Sequence, residues 1–324
     1  MKFFTNTSTT AFLLGLFFIF FLTSCKKEKV DITCSEATME CLDTAISIDS
    51  TKQGRKVLII GIDGFRSEAM QQGITPFLFQ LSQRGATFYT DSHIVEDLTF
   101  SGPNWGSLCT GVHWCKHNVS TNGFEDNDLA TYPHFFHYIE QANSSLNTAS
   151  IVNWLPVNNF IAKNIADYAP EDSRNDLAVY QAAEDALLNQ NPLDPDVLFL
   201  HFDELDGAGH RFGFGSPIQE YNEVLITLDT YVADLFSIIE NKRTNGEEWM
   251  VLVVSDHGGD GKGHSGGQHN DFINKTIFFA NSPGENFLEN YVSSQADLAP
   301  TVLTYLGITS AAFNCKTDGI SLIE

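Results

Sequence analysis

The sequence predicts an α/β fold with a mostly parallel central sheet and helices on both faces. Three observations carry this. Short, continuously apolar, β-branched runs recur at "KVLIIGID" (56–63), "TASIVNW" (148–154), "DVLFLHFDELD" (196–206), "WMVLVVSDHGG" (249–259) and "KTIFFANSPG" (275–284), the pattern of strands buried on both faces. Helical stretches lie between them, and strand–helix alternation builds parallel sheets covered by helices. Several strand runs end directly in Asp, His or Gly, and open parallel sheets gather polar loops at those ends.

Taken in order, the chain opens with a lysine, a polar stretch and an apolar run from Ala11 to Leu22. The run is short for a membrane-spanning helix and has the length of a signal-peptide core. "LTSC" resembles a bacterial lipobox, which implies cleavage before Cys25 and a lipid on Cys25; an ordinary signal peptide or an anchor helix is the alternative. Residues 1–24 are thus expected to be a leader, residues 25–55 a lipidated, polar tether, and residues 56–324 one catalytic domain. An exported lipoprotein on the periplasmic or cell-surface face of a membrane follows. "TPFLFQLSQRGA" reads as a helix with Pro near its start and Gly past its end. "DLAVYQAAEDALLNQ" is a second helix, and the stretch from Ser216 to Arg243 a third. Val224, Leu225, Leu228, Val232, Leu235 and Ile239 form one apolar stripe along the third. "QADLAPTVLTYLGI" (295–308) closes the series as a helix.

Charge and cysteines narrow the function classes. Lys and Arg number 18 against 41 Asp and Glu, a net charge of −23. Such a surface repels polyanions, because nucleic-acid affinity rests on Lys and Arg displacing counterions; no nucleic-acid polymer is expected as partner. A small substrate held by metal ions remains compatible with it. Beyond Cys25 the cysteines are Cys34, Cys41, Cys109, Cys115 and Cys315. Export permits disulfides, with Cys34–Cys41 and Cys109–Cys115 as the local candidates, and the odd count leaves a thiol over.

The ionisable residues fall where a parallel sheet places its active site. The first strand ends at Asp63 in "GIDGFR". The third leads into "DELDGAGHRFG", where Asp206 and His210 stand four residues apart. The fourth ends in "SDHGG", with Asp256 and His257 adjacent, and "GKGHSGGQH" adds His264 and His269. Each group also has a plain reading, as helix cap, surface polarity or turn. Their convergence on one sheet rim favours mixed carboxylate–imidazole ligation of divalent ions such as zinc, with donors enough for two. "DLTFSGPNWGSLCTG" (97–111) carries Ser101 just before Gly-Pro, which reads as a helix N-cap or as a nucleophile.

In order and spacing, "GIDGFR", "SGPNWGSLCTG", "HNVSTN", "DELDGAGHRFG", "SDHGG", "GKGHSGG" and "DLAPTVLTYLG" resemble the alkaline phosphatase superfamily, type I phosphodiesterase/nucleotide pyrophosphatase branch. The resemblance implies a three-layer sandwich and two Zn2+ ions, with Mn2+ or another divalent ion as substitutes. It implies that Asp63, Asp256, His257 and Ser101 hold one ion and Asp206, His210 and His264 the other, with His269 as second choice for His264. It makes Ser101 the nucleophile, and Asn122 a donor to a phosphoryl oxygen, aided by the backbone N–H beyond Ser101; a turn residue is the plain reading of Asn122. Sulfatases of the superfamily place x-Pro-x-Arg after their modified residue, and Ser101 is followed by Gly-Pro-Asn-Trp.

Two departures concern substrate. Branch members acting on nucleotides carry a phenylalanine after the nucleophile and a tyrosine five residues before the Asp of Asp-x-x-Gly-His, where this chain has Gly102 and His201. Trp105, Trp154 and Phe212 are alternative apolar walls, or simply core and loop packing. The expected activity is hydrolysis of a small phosphoester, diester or monoester, through a phosphoserine. The alternatives are a phosphonate hydrolase or phosphoryl transferase using the same metals, or a non-catalytic metal-binding lipoprotein.

Overall fold

The computed structural model describes Met1 and residues 46–172, 174–190, 192–308, 313 and 316–324. The leader, Cys25, the Cys34–Cys41 candidate pair and Cys315 lie outside the described residues. Six strands are present: β1 (Arg55–Ile62), β2 (Thr87–Ile94), β3 (Thr148–Val152), β4 (Val197–Phe202), β5 (Glu248–Val254) and β6 (Lys275–Asn281). Nine α-helices accompany them among the described residues: α1 (Pro76–Leu81), α2 (Ser101–Thr110), α3 (Trp114–His117), α4 (Phe135–Ala142), α5 (Asp176–Leu187), α6 (Glu204–Phe212), α7 (Gln219–Thr244), α8 (Asp271–Asn274) and α9 (Leu298–Tyr305).

The strands form one sheet in the order β2-β6-β5-β1-β4-β3. β3, β4, β1 and β5 run parallel, whereas β6 is antiparallel to β5 and β2 antiparallel to β6. The sheet is therefore mostly parallel, as expected, with an antiparallel margin. Strand β2 has no counterpart among the predicted strands. Its sequence "TFYTDSHI" is polar in the middle, and its pairing with β6 shifts register between Thr90 and His93, a bulge of the kind that edge strands carry.

Alternation along the central strands divides the core in two. Val57, Ile59, Val197, Phe199, Met250 and Leu252 face a layer that includes residues of α2, α4 and α9. Leu58, Ile60, Leu198, Leu200, Val251 and Val253 face residues of α1, α5 and α7. Each such side chain, once fully buried, contributes about 1.5–3 kcal/mol, so a sheet covered on both faces is a rigid base for its loops. The tether as read from sequence is in part attached to this body. Ile46 and Ile48 pack on the first cluster, and the Asp49 N–H donates to the Gly307 carbonyl at 2.7 Å.

Helix α7 buries Leu225, Leu228, Val232, Leu235 and Ile239 as its stripe predicts, and Asp229 with them. The charge has a purpose. The Asp229 carboxylate accepts from the Phe77 and Leu78 N–H groups at 2.9 Å each, capping α1 from a neighbouring helix. Burial raises its pKa, against the pull of these two bonds. Among the cysteines, Cys109 is a free, buried thiol and Cys115 is disulfide-bonded. The expected Cys109–Cys115 bridge is therefore overturned: Cys109 is held inside the fully buried α2. Asp229→Ala should lower the unfolding free energy by about 1–3 kcal/mol, because two buried N–H groups lose their acceptor, and urea titration measures it.

Candidate functional site

The parallel strands bring their carboxyl ends to one rim. Asp63 follows β1, Asp206 sits in the first turn of α6 after β4, and Asp256 and His257 follow β5. Asp63, Asp256 and His257 are fully buried. Their metal-ligating atoms lie within 4.8 Å of one another, and those of Asp206, His257 and His264 form a second such group. His210 joins this second group through Nε2, 3.3 Å from Asp206 Oδ2 and 3.1 Å from His264 Nε2. His269 is exposed on a short turn and belongs to neither group.

The imidazoles share one orientation. Nδ1 of His257, His210 and His264 meets the carbonyls of Gly258, Lys262 and Thr99 at 2.9, 3.0 and 2.6 Å. A carbonyl accepts only, so each Nδ1 carries a proton and Nε2 is the atom each ring turns to the cluster. The Asp206 hydrogen bond raises His210 to about 9, so without a metal its Nε2 also holds a proton toward Asp206. The Nε2 atoms converge on one another: those of His210 and His264 face across 3.1 Å. The Thr99 hydroxyl also donates to the His264 carbonyl, tying this loop to the start of α2.

The carboxylates are in the same condition. Asp63 Oδ1, Asp206 Oδ1 and Asp256 Oδ2 are buried and have no hydrogen-bond partner. Asp256 Oδ1 accepts from the N–H groups of Gly64 and His257 at 3.1 and 2.9 Å. Burial, then the charges of Asp63 and Asp206, push the Asp256 carboxyl well above its usual range, against those two bonds. Burial acts the same way on Asp63, yet the His201 hydrogen bond, the His257 and His201 charges and Trp105 hold it below that range. Orphaned carboxylate oxygens facing imidazole Nε2 atoms are the donor set of a divalent cation. The residues fit the ions that the resemblance implies.

Ser101 is the first residue of α2, behind Phe100 as N-cap, so it is not itself the cap. Its Oγ lies 3.3 Å from His257 Nε2. Asn104, one turn on, organises the entry to α2: its Nδ2 donates to the carbonyls of Leu98 and Phe100, and its Oδ1 accepts from the Glu96 N–H. Asn122 is beside the serine, its Oδ1 accepting from the Gly102 N–H at 2.8 Å. That bond corrects one expectation. The N–H beyond Ser101 is spent on orienting Asn122, which leaves the Asn122 Nδ2 as the donor facing solvent-accessible space. The loop bearing Asn122 is fixed by His117, whose Nδ1 accepts from the Val119 N–H and whose Nε2 donates to Ser107 Oγ.

Gly102 has no room for a side chain: a Cβ there would meet the Thr121 carbonyl at 2.6 Å. Trp105, read from sequence as an apolar wall or packing, is fully buried and donates from Nε1 to Asp63 Oδ2 at 3.0 Å. His201 is buried and bonded to the same oxygen at 3.2 Å. Phe212 lines a cleft between α6 and α7 with Glu220, Val224 and Tyr231. Trp154 is half-buried, its ring 6.1 Å from that of Phe124. Asp203 and His201 form a third close group with Asp63. Asp203 follows β4 directly, the same signal that marked Asp63, but sequence reasoning passed over it for Asp206 and its pairing with His210. Burial, then the charge of Asp63, raise the Asp203 carboxyl to about 7.

Comparison with known proteins follows the same lines. The type I phosphodiesterase/nucleotide pyrophosphatase family model matches residues 57–296. GPI ethanolamine phosphate transferase 3 of Schizosaccharomyces pombe is 25% identical over 231 residues, covering 68% of this chain and 23% of that protein. Bovine bis(5'-adenosyl)-triphosphatase is 24% identical over 224 residues, covering 63% of this chain and 47% of that one. The chain spans less than half the length of these curated relatives. Murine ectonucleotide pyrophosphatase/phosphodiesterase 5, solved as an inactive variant with AMP, superposes with a TM-score of 0.58 at 16% identity, over 83% of this chain and 100% of that one; at that identity the likeness speaks to fold. With its family match spanning most of the globular body and its acidic and imidazole residues gathered on one sheet rim, the chain belongs to the type I phosphodiesterase/nucleotide pyrophosphatase family, within the alkaline phosphatase superfamily.

Proposed function

We propose that this chain is a zinc-dependent phosphoric ester hydrolase that acts on a small phosphodiester or phosphomonoester through a phosphoserine at Ser101. The observation that carries this is the position of Ser101 Oγ, at a helix N-terminus and 3.3 Å from His257 Nε2 within the cluster. Asp63, Asp256, His257 and Ser101 would hold one ion, and Asp206, His210 and His264 the other. Bound there, divalent ions supply positive charge that lowers the pKa of the serine hydroxyl and offsets charge on the leaving oxygen.

The chain's own groups do the rest. Ser101 Oγ attacks phosphorus in line; the bond from phosphorus to the leaving oxygen breaks, and the alcohol departs with a proton from solvent. Water then attacks the phosphoseryl phosphorus from the side the alcohol left, which restores the serine and releases the phosphate or monoester. Asn122, its carbonyl end held by the Gly102 N–H, donates from Nδ2 to a phosphoryl oxygen in both steps. The N-terminus of α2 favours the same anion.

Two features argue against recognition of a nucleotide base at the usual positions. Gly102 leaves no aromatic ring beside the serine, and His201 is turned to Asp63. Losing such stacking costs about 1–3 kcal/mol per base. Transfer to an alcohol instead of water is the second reading, favoured by the match to an ethanolamine phosphate transferase. The "LTSC" lipobox supports an exported lipoprotein anchored to a membrane through Cys25; among the described residues, no helix is long and apolar enough to cross a membrane.

Ser101→Ala should lower turnover of bis-p-nitrophenyl phosphate, p-nitrophenyl phosphate and a nucleotide p-nitrophenyl ester at least about 10³-fold, with zinc content unchanged by elemental analysis; full activity would rule out this nucleophile. Asn122→Ala should cost about 10²–10³ in kcat, as removal of an oxyanion donor does, measured with the substrate turned over fastest. Chelation should abolish turnover and lower the melting temperature, and zinc at about 100 times its Kd should restore about 2.7 kcal/mol of stability. Calorimetry with and without chelator reads this directly, and turnover insensitive to chelation would sink the metal-dependent reading.

A further inference from the structure

We infer that His201 and Trp105 form a two-donor clamp on Asp63 that directs its free oxygen toward the first ion, so that His201 is a positioning residue, not a substrate contact. The inference rests on the function proposed above and concerns how this chain prepares that site.

The clamp is built from a gap in the sheet. Gly61 stands two residues before Asp63 on β1, so the two share a face of the strand. A Cβ at Gly61 would lie 2.5 Å from Cη2 of Trp105; the glycine is what lets the indole approach the strand this closely. In the β1–β4 register Gly61 pairs with His201. The indole and imidazole therefore meet over one spot, with ring centroids 4.6 Å apart at 70°. Trp105 and His201 are both fully buried, and the His201 backbone is pinned by the Asn153 N–H on its carbonyl at 3.0 Å.

Both rings converge on a single atom. Trp105 Nε1 donates to Asp63 Oδ2 at 3.0 Å, and His201 Nε2 lies 3.2 Å from the same oxygen. His201 Nδ1 has no hydrogen-bond partner and Nε2 faces a carboxylate, so Nε2 is the nitrogen that carries the proton. With Oδ2 occupied twice, Oδ1 is the only free oxygen of Asp63, buried, without a partner and 3.5 Å from His257 Nε2. Hydrogen bonds of this kind fix the rotamer of a metal-ligating carboxylate, and their removal typically weakens metal binding 10–100-fold.

Two other roles for His201 are excluded or exposed by the same experiment. His201 is itself a donor atom in the third close group with Asp63 and Asp203, which would make it a ligand to a further ion. As the replacement for a substrate-facing tyrosine it would contact the organic part of the substrate. The full chain is stripped of metal and titrated with zinc against a chromophoric chelator, for wild type, His201→Phe, His201→Gln and Trp105→Phe, with the melting temperature of each metal-free protein recorded alongside. The clamp predicts two zinc ions per wild-type chain. One of them should bind 10–100-fold more weakly in His201→Phe and in Trp105→Phe, with substantial recovery in His201→Gln, whose amide restores an N–H. A purely structural role would move the metal-free melting temperature and leave zinc affinity unchanged, which overturns the inference. Three ions in wild type falling to two in His201→Phe would make His201 a ligand and overturn it as well. Unchanged zinc affinity with a raised KM would assign His201 to the substrate. Wild type that binds no zinc would remove the proposed function itself, a result distinct from the others.

Discussion

The site depends on an electrostatic constraint: the Nε2 atoms of three imidazoles and partnerless oxygens of three carboxylates, two of them fully buried, are aimed into one small volume. Such an arrangement repels itself. Imidazole nitrogens facing across 3.1 Å gain little from each other, and each carboxylate keeps one buried oxygen without a donor, which costs desolvation energy. The opposed displacements of the Asp63 and Asp256 carboxyls have the same origin, since without added positive charge the acids must share what protons and imidazolium are at hand. A divalent cation removes the conflict at one stroke, and the acidic surface of the chain is compatible with a small anionic substrate where that cation reverses the local sign.

The rest of the fold serves to keep those atoms from relaxing away from one another. Four parallel strands with both faces buried bring their carboxyl ends to one rim, and the candidate ligands follow the ends of β1, β4 and β5, from Asp63 directly after β1 to His264 ten residues after β5. Main-chain carbonyls hold each imidazole by Nδ1, and Gly61, Trp105 and His201 hold Asp63. Helix α2 brings Ser101 to the cluster while being buried along its whole length, so the proposed nucleophile stands on a rigid element while Asn122 lies beside it on a neighbouring loop. Gly102 belongs to the same arrangement: the Thr121 carbonyl occupies the space a side chain would need, which brings Asn122 close to the serine and leaves no base platform there.

The fold was legible where burial was total and the period simple. The central strands β1, β3, β4 and β5 read as continuous apolar runs, and the stripe of α7 read at helical spacing. Strand β2 escaped because an edge strand with a bulge needs no apolar period. Asp229 escaped because a charge in an apolar stripe has meaning only through the N–H groups of another helix. Within the site, Asp63, Asp206, His210, Asp256, His257 and His264 were legible because chemistry-bearing residues cluster after strands, and the structure brings all six together around Ser101. The supporting residues were not. Trp105 looked like an apolar wall or packing and His201 like a lost aromatic, because their shared partner Asp63 lies 42 and 138 positions away along the chain. Asn104 and His117 bond within ten positions, but to loop groups that carry no periodic signal. The Cys109–Cys115 pairing failed for the opposite reason: nearness in sequence does not help when one thiol is sealed inside a helix.

The central claim is a double displacement at Ser101. Stereochemistry at phosphorus tests it most directly: hydrolysis of a chiral phosphorothioate diester in isotopically labelled water, with the product configuration determined by phosphorus NMR. Two in-line steps invert twice, so the account predicts net retention. Net inversion, the signature of a single direct attack by water, would contradict it.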